Sequence, residues 1–318
     1  MSDSVCCDKK NIVCGEEEIR LDVYLADTLS DEGEEAFRTF SRSSAARLID
    51  EGRVTVNGLV RKANYRVRMG DMISVELPEP EVLSVEAEDI PLDVVYEDGD
   101  IIVINKARGM VVHPAAGNYT GTLVNALLYR CGDLSDINGV IRPGIVHSID
   151  KDTTGLICVA KNNAAHLKLA AQLETHEMAR VYYAVAEGRL KESCGVVDKP
   201  VGRHPVERKK MAVVPEGKRA VTHYRVLAEN NVFSLLELRL ETGRTHQIRV
   251  HLASLGHPVA GDPLYGIKNT RGLAGQLLHA GKLTLRHPSS GELMTFSAAL
   301  PGDFEAFVKK NGLSEGFL

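Results

Sequence analysis

Between Gly144 and Asn162 the chain reads GIVHSIDKDTTGLICVAKN, in which two β-rich apolar runs, Ile145-Val146 and Leu156 to Ala160, flank a polar turn that carries Asp150. Asp152, Thr153, Thr154 and Gly155 supply turn chemistry, with hydroxyls able to orient backbone or side chain. This places Asp150 at the mouth of a sheet, the kind of rigid seat that a catalytic acid needs. An isolated Asp in such a loop more often caps the turn, so its neighbours along the rest of the chain must decide.

The chain has 318 residues, 44% hydrophobic and 25% charged, which describes an ordinary globular protein long enough for two domains. No apolar run approaches the roughly 20 residues that a membrane helix needs. The start, MSDSVCCDKK, lacks the apolar core of a secretory signal, so a cytoplasmic location is expected. Cys131, Cys158 and Cys194 read as small core residues, whereas Cys6, Cys7 and Cys14 crowd a tail without paired C-x-x-C spacing or a nearby His. Reduced thiols and no metal are expected. Neither a G-x-G-x-x-G nor a Walker sequence occurs, so no nucleotide cofactor is implied.

A net charge of −5 argues mildly against nucleic-acid binding until the charges are located. Asp27 to Glu35 is acidic, but the following stretch carries Arg38, Arg42, Arg47, Arg53, Arg61, Lys62, Arg66 and Arg68 against few acids. Ser43 or Ser44 can cap a short helix through Ile49, and Gly52 ends it. Arg53 to Val56 then alternates into a strand closed by an Asn57-Gly58 hairpin turn. Gly70-Asp71 makes another turn before a strand over Met72 to Leu77. The wording SRSSAARLIDEGRVTVNG, after RLDVYLAD and before VRMGDMISVEL, resembles an S4 domain, a small RNA-binding module. The resemblance implies phosphate contacts from Arg42, Arg47 and Arg53.

Pro78-Glu79-Pro80-Glu81 is stiff and acidic, which suits a linker. Beyond it Ile101 to Asn105 reads as a buried strand, Thr122 to Tyr129 as a short helix, and Arg180 to Glu187 as a strand. Leu167, Ala170, Ala171 and Leu173 read as one helical face. The pattern is α+β with a mixed sheet. It divides into a flexible tail over 1–18, an S4-like RNA-binding domain over 19–77, a linker over 78–91 and a larger domain over 92–318.

Three stretches of the larger domain, together with the opening YEDGDIIVINKARGMVVHP, resemble the RluA-type pseudouridine synthases, which isomerise uridine in RNA. HSIDKDTTG is similar to the family signature H-R-L-D-x-x-T-S-G, with Asp150 on the nucleophile position. Ser148 stands where the family has Arg, and Ile149 where it has Leu. ARVYYAVAEG puts on Tyr182, two residues after Arg180, the role of lying against the target base. Alternation sends Tyr182 and Tyr183 to opposite sheet faces, so only one of them can face Asp150.

The stretch ETGRTHQIRVHLASLGHPVAGDPLYG places Arg249 on a helix whose apolar face is Ile248, Leu252 and Leu255, capped by Thr245 and stopped by Gly256 and Pro258. In the family such an Arg forms an ion pair with the catalytic Asp and aims its oxygens. Arg244 and His246 suit phosphate contact or loop packing, and His113 reads as structural. Between these stretches KPVGRHPVERKKMAVVPEGKRAVTHYRVL is a basic hairpin, with Arg208, Lys209 and Lys210 gripping phosphates.

The resemblance implies conversion of specific uridines to pseudouridine, without a cofactor, in large-subunit ribosomal RNA, or in transfer RNA, by a monomeric enzyme. Because Ser148 is too short for the base-flipping role of the family Arg, Arg108, a cation in the earlier loop, is the candidate substitute. A non-catalytic RNA-binding or ribosome-assembly factor on the same scaffold is the alternative from another class. A metal-dependent nuclease ranks below both, since the acids near Asp150 offer only Asp152.

Overall fold

The computed structural model describes residues 9–31, 42–76, 85–115, 117–131, 134–137, 142–207, 209–267 and 272–314. The chain divides into two compact units, Met1–Val82 and Leu83–Leu318. The Pro-Glu stretch at 78–81, Arg38, Arg208, Cys6, Cys7 and the acids from Glu32 to Glu35 lie outside the described residues.

The first unit comprises β1 (Lys9–Val13), α1 (Leu21–Asp31), α2 (Arg42–Asp50), β2 (Val54–Val56), β3 (Leu59–Val60) and β4 (Met72–Glu76). The strands pair antiparallel in the order β1-β4-β2-β3. Leu21, Leu25 and Leu29 of α1 and Leu48 and Ile49 of α2 pack with Val54, Val56, Ile73 and Val75 in one core. The β2–β3 turn is the expected one: Asn57 and Gly58 have φ of 52° and 76°, the left-handed pair that matches strand twist. Asn57 fixes the turn further, donating from Nδ2 to Asp71 Oδ1 and accepting the Met72 N–H.

Two local readings change. Residues 9–13 are a sheet strand rather than part of a tail, because Ile12 and Cys14 bury themselves in the core. The helix begins at Arg42, which puts Ser43 and Ser44 inside its first turn rather than at its cap.

The second unit contains β5 (Val94–Glu97), β6 (Ile101–Lys106), α3 (Leu123–Cys131), β7 (Thr154–Ala160), α4 (Asn163–Glu174), β8 (Ala179–Glu187), β9 (Cys194–Asp198) and β10 (Val201–Arg203). It continues with β11 (Met211–Val213), β12 (Val221–Glu229), β13 (Phe233–Leu240), α5 (Gln247–Ser254), β14 (Leu278–Arg286), β15 (Leu293–Ser297) and α6 (Gly302–Lys310). Nine strands form a mixed sheet in the order β5-β6-β7-β14-β8-β13-β12-β9, with β15 also paired to β14. The β7–β14 pair is parallel. The strands β10 and β11 make a separate antiparallel ribbon, the expected basic hairpin.

Strand alternation distributes the core to both faces of the large sheet. Ile102, Ile104, Ile157, Val159, Tyr182 and Leu238 pack with α3 and α5. Their sequence neighbours Ile101, Val103, Leu156 and Cys158 pack with α4, and Tyr183, Val185 and Leu235 with α6. Tyr182 and Tyr183 therefore do face opposite ways. The α+β class with a mixed sheet is what the sequence implies.

Three element readings are corrected. Ile145 makes a single bridge to Val159 and the described residues 142–150 form no strand, while Thr154 and Gly155 belong to β7 rather than to the turn. Gly155 is required there: its φ is 108°, and a Cβ would lie 2.3 Å from the Ala280 carbonyl oxygen of β14. On α4 the buried positions are Ala165, His166, Leu169 and Gln172, so Leu167 faces solvent. Cys194 sits in the edge strand β9 and is exposed.

Candidate active site

The chain from Asp150 to Thr153 turns into β7 at a junction that a buried lysine braces from behind. Lys106, at the end of β6, donates from Nζ to the carbonyls of Ala107, Met110 and Lys151, each at 2.9 Å. Burial pushes this ammonium down to about 7, partly offset by the charges of Asp152 and Asp150. The Thr153 N–H returns to the Asp150 carbonyl at 3.1 Å. Asp150 thus has a fixed backbone, and its side chain is 21% exposed.

Arg249 projects from α5 to meet it. Its Nη1 donates to Asp150 Oδ2 at 2.8 Å, while Nε and Nη2 make a bidentate pair with Asp262 at 2.6 and 2.9 Å. Asp262 Oδ1 also accepts the N–H groups of Leu264 and Tyr265. Burial alone would lower the Arg249 guanidinium, but the Asp262 and Asp150 carboxylates outweigh it and hold the group well above its ordinary value. Tyr265 adds its ring face 5.1 Å from the guanidinium carbon.

The loop into α5 is built by Gln247 rather than by a Thr245 cap. Its Oε1 accepts from Thr242 Oγ1 and the Arg244 N–H, and its Nε2 donates to the Val221 carbonyl and Thr222. Such a buried amide with both ends satisfied fixes a loop as firmly as a cap. The cap position falls on His246, in the left-handed region at φ 57° and with no side-chain cap bond. Its imidazole Nδ1 lies 2.8 Å from the Tyr265 hydroxyl, which also accepts the Met211 N–H. The Tyr265 hydroxyl is free to donate to Nδ1, and Nε2 lies 3.9 Å from Asp150 Oδ1. Burial pushes this imidazole below its ordinary range.

Asp150, Tyr182, Arg249 and Arg244 all line one pocket of about 110 Å³. Tyr182 is buried in β8, and burial first, then Asp150, raises its phenol, so it remains a protonated hydroxyl. Arg244 also donates from Nε to the Arg219 carbonyl at 3.1 Å. Lys210 pairs with Glu207 on the ribbon, and Lys209 lies beside it in the connecting turn. In the first unit Arg42 pairs with Asp22 and Arg53 with Glu51, whereas Arg47, 68% exposed, only approaches Glu51 at 4.0 Å.

Arg108 does not join the pocket. Its Nη1 donates to the carbonyls of Asp152 and Gln276 at 2.9 Å, and its Nη2 lies 3.1 Å from Asp303 of α6. It is a brace between loops, so it is not available as the guanidinium that position 148 lacks. Sequence reasoning missed Asp262, Lys106 and Tyr265 as parts of the site. The signal for Asp262 was present in the GDPLYG wording, but an Asp before Pro reads as turn chemistry.

A family model described as RNA pseudouridylate synthase matches residues 100–254, and an S4 domain model matches residues 40–73. The uncharacterised RNA pseudouridine synthase YlyB of Bacillus subtilis (strain 168) is 50% identical over 296 residues, spanning 92% of this chain and 95% of its own. The chain belongs to the RNA pseudouridine synthase family. As an RNA pseudouridine synthase it is an isomerase, with an S4 domain ahead of the synthase domain. A second relative, ribosomal large subunit pseudouridine synthase D of Zymomonas mobilis, is 48% identical over 282 residues, spanning 85% of this chain and 89% of its own. Among solved structures, human RNA pseudouridylate synthase domain containing 1 superposes with a TM-score of 0.54 at 27% identity, covering 70% of this chain and 86% of that one.

Proposed function

We propose that this synthase isomerises uridine in large-subunit ribosomal RNA, with Asp150 as its catalytic carboxylate. The observation that carries the reading is the asymmetry of that carboxylate: Oδ2 is held by Arg249 at 2.8 Å, while among the described residues Oδ1 has only the His246 imidazole, 3.9 Å away, in the pocket lined by Tyr182. One oxygen is anchored and the other is left to react. The choice of ribosomal RNA rests on the relatives named ribosomal large subunit pseudouridine synthase D.

The target uridine leaves its stack and its base enters the pocket against Tyr182, a flat apolar partner with a hydroxyl. Asp150 Oδ1 acts at the glycosidic bond, by attack at C1′, by attack on the ring, or by assisting a glycal route. With the N1–C1′ bond broken, the base turns and C5 bonds to C1′; C5 then gives up its proton and N1 takes one up. Substrate and product are isomers, so nothing is oxidised or reduced. Ile149, Tyr182, Leu240 and Leu278 give the pocket apolar walls that limit water around the detached base.

The test is to incubate the purified protein with large-subunit and transfer RNA transcripts lacking modification and to map pseudouridine at single-nucleotide resolution. Modification of a defined uridine in the large-subunit RNA supports the reading. Modification of transfer RNA alone would move the substrate. RNA binding without any isomerisation would favour a non-catalytic factor.

A further inference from the structure

Beside the Asp150 pocket the start of β8, the end of α4 and the loops around them leave a second, larger cleft of about 550 Å³. Ser148, Arg180, Gly243 and Arg244 line both cavities and so form their shared wall. Arg180 is 8% exposed, yet its Nε is buried without a hydrogen-bond partner, and no ion pair engages its guanidinium among the described residues. A Cβ on Gly243 would lie 3.0 Å from Arg180 Nη1, so the guanidinium rests against that wall through a residue with no side chain.

His147, on the same cleft, is a second unsatisfied donor. The Cys158 N–H donates to its Nε2 at 3.2 Å, so in the neutral ring Nδ1 carries the proton. That Nδ1 is also buried without a partner, as is Nδ1 of His113 on the same cleft. Burial and the nearby Arg180 push His147 down to about 3, which keeps it neutral. Arg142 and Arg244 add charge, against the carboxylates of Glu174 and Glu241. Glu241 is already engaged by His223 and Arg219. A buried charged donor without an acceptor costs more than the about 1–3 kcal/mol of a neutral one, so the Arg180 guanidinium, which lines the cleft and meets no acceptor among the described residues, calls for a ligand that brings anionic oxygen.

We propose that this cleft is a subsite for the RNA phosphodiester adjoining the target uridine, with Arg180 as the guanidinium that grips it. The proposal rests on the reading of the Asp150 pocket as the uridine pocket, since the shared wall then places the neighbouring linkage in the cleft. It also answers the gap at Ser148. The short Ser148 side chain borders both cavities, and Arg180 occupies the wall next to it, whereas Arg108 is spent on Asp152, Gln276 and Asp303.

The experiment uses the full chain and RNA oligonucleotides of one sequence, each with a single neutral methylphosphonate linkage on the 5′ or the 3′ side of the target uridine. Affinity is read by equilibrium binding and turnover by pseudouridine formation. One of the two linkages should weaken binding by about tenfold or more, as loss of a charge-assisted contact does, and should lower the salt slope by about one. It should raise KM with kcat little changed. Arg180→Met should cost as much on the all-phosphate RNA and add nothing on the neutral-linkage RNA, and Arg180→Lys should recover part of the loss.

Equal affinity for all three RNAs would overturn the proposal, as would independent, additive losses from the linkage and the variant. Because binding is measured separately, these outcomes hold whether or not the unaltered protein isomerises uridine. Absence of product from the unaltered protein would count against the proposed function instead.

Discussion

Arg249 and Arg180 both line the Asp150 pocket, and they differ in what holds them. Arg249 gives three hydrogen bonds to two carboxylates and is stacked on Tyr265. Arg180 is also buried and has neither an acceptor nor an ion pair among the described residues. The first arrangement closes its own charge balance, so the carboxylate geometry is set before any substrate arrives. The second is left open, which is tolerable only where a ligand completes it. On the proposed reading, the difference separates the group that orients the chemistry from the group that receives the RNA.

The sharpest way to break this comparison is Arg249→Met, which strands Asp262 without its bidentate partner and frees Asp150. Removing one member of a buried pair costs about 3–5 kcal/mol, so urea unfolding should show a loss of that size together with loss of turnover. A loss below about 1 kcal/mol, the scale of an exposed ion pair, would show that Arg249 does not organise the pocket. Arg180→Met removes an unpaired buried cation, and the protein should keep or gain stability while losing RNA affinity.

The histidine beside Arg180 gives a second probe. With the His147 imidazole held at about 3 in the folded protein and near 6.5 when unfolded, the unfolded chain binds more protons between those values. Stability therefore falls as pH is lowered through 6.5, by about 2 kcal/mol from this one group between pH 7 and pH 5. Urea unfolding at those two pH values checks this. His147→Gln, which can still accept the Cys158 N–H, should remove that share of the pH dependence.

The smallest effects belong to the first unit, where Arg42 and Arg47 repeat the contrast at the surface. Arg20 first, and then Arg42, hold the Asp22 carboxyl down to about 2, so Arg42→Ala should cost stability of up to about 1 kcal/mol. Arg47→Ala should change stability by less than about 0.5 kcal/mol and lower the salt slope of RNA binding by about one. An Arg47→Ala protein with unchanged RNA affinity at every salt concentration would make this helix an ordinary solvated face.

Asp150, Tyr182 and Arg249 were legible as one site through the resemblance of their three stretches to the family, since the local patterns alone, a turn, an alternating strand and a helix, favour a turn cap, a core Tyr and a surface Arg. What escaped was settled by contacts remote in sequence. Arg108 looked like a free cation because its acceptors lie 44 and 168 residues further along. Asp262 was not singled out, and only the fold, by bringing Arg249 of α5 against it, gives it a role. Thr245 looked like a cap, but Gln247 satisfies the loop from inside, a bond pattern with no periodic signature. The strand expected at Ile145-Val146 failed for a simpler reason. Two apolar residues fit a sheet strand or a buried loop equally well, and only Val159 offered a pairing partner.

The central claim is that the free oxygen of Asp150 performs the chemistry and that Arg249 positions it. The most direct test is Asp150→Asn, which keeps the shape and the Arg249 contact while removing the charge. The account predicts that pseudouridine formation on the mapped uridine falls by at least about 10³-fold, with RNA affinity within about twofold and an unchanged urea midpoint. Turnover by the Asp150→Asn variant within about tenfold of the unaltered chain, on RNA shown to bind equally well, would contradict it.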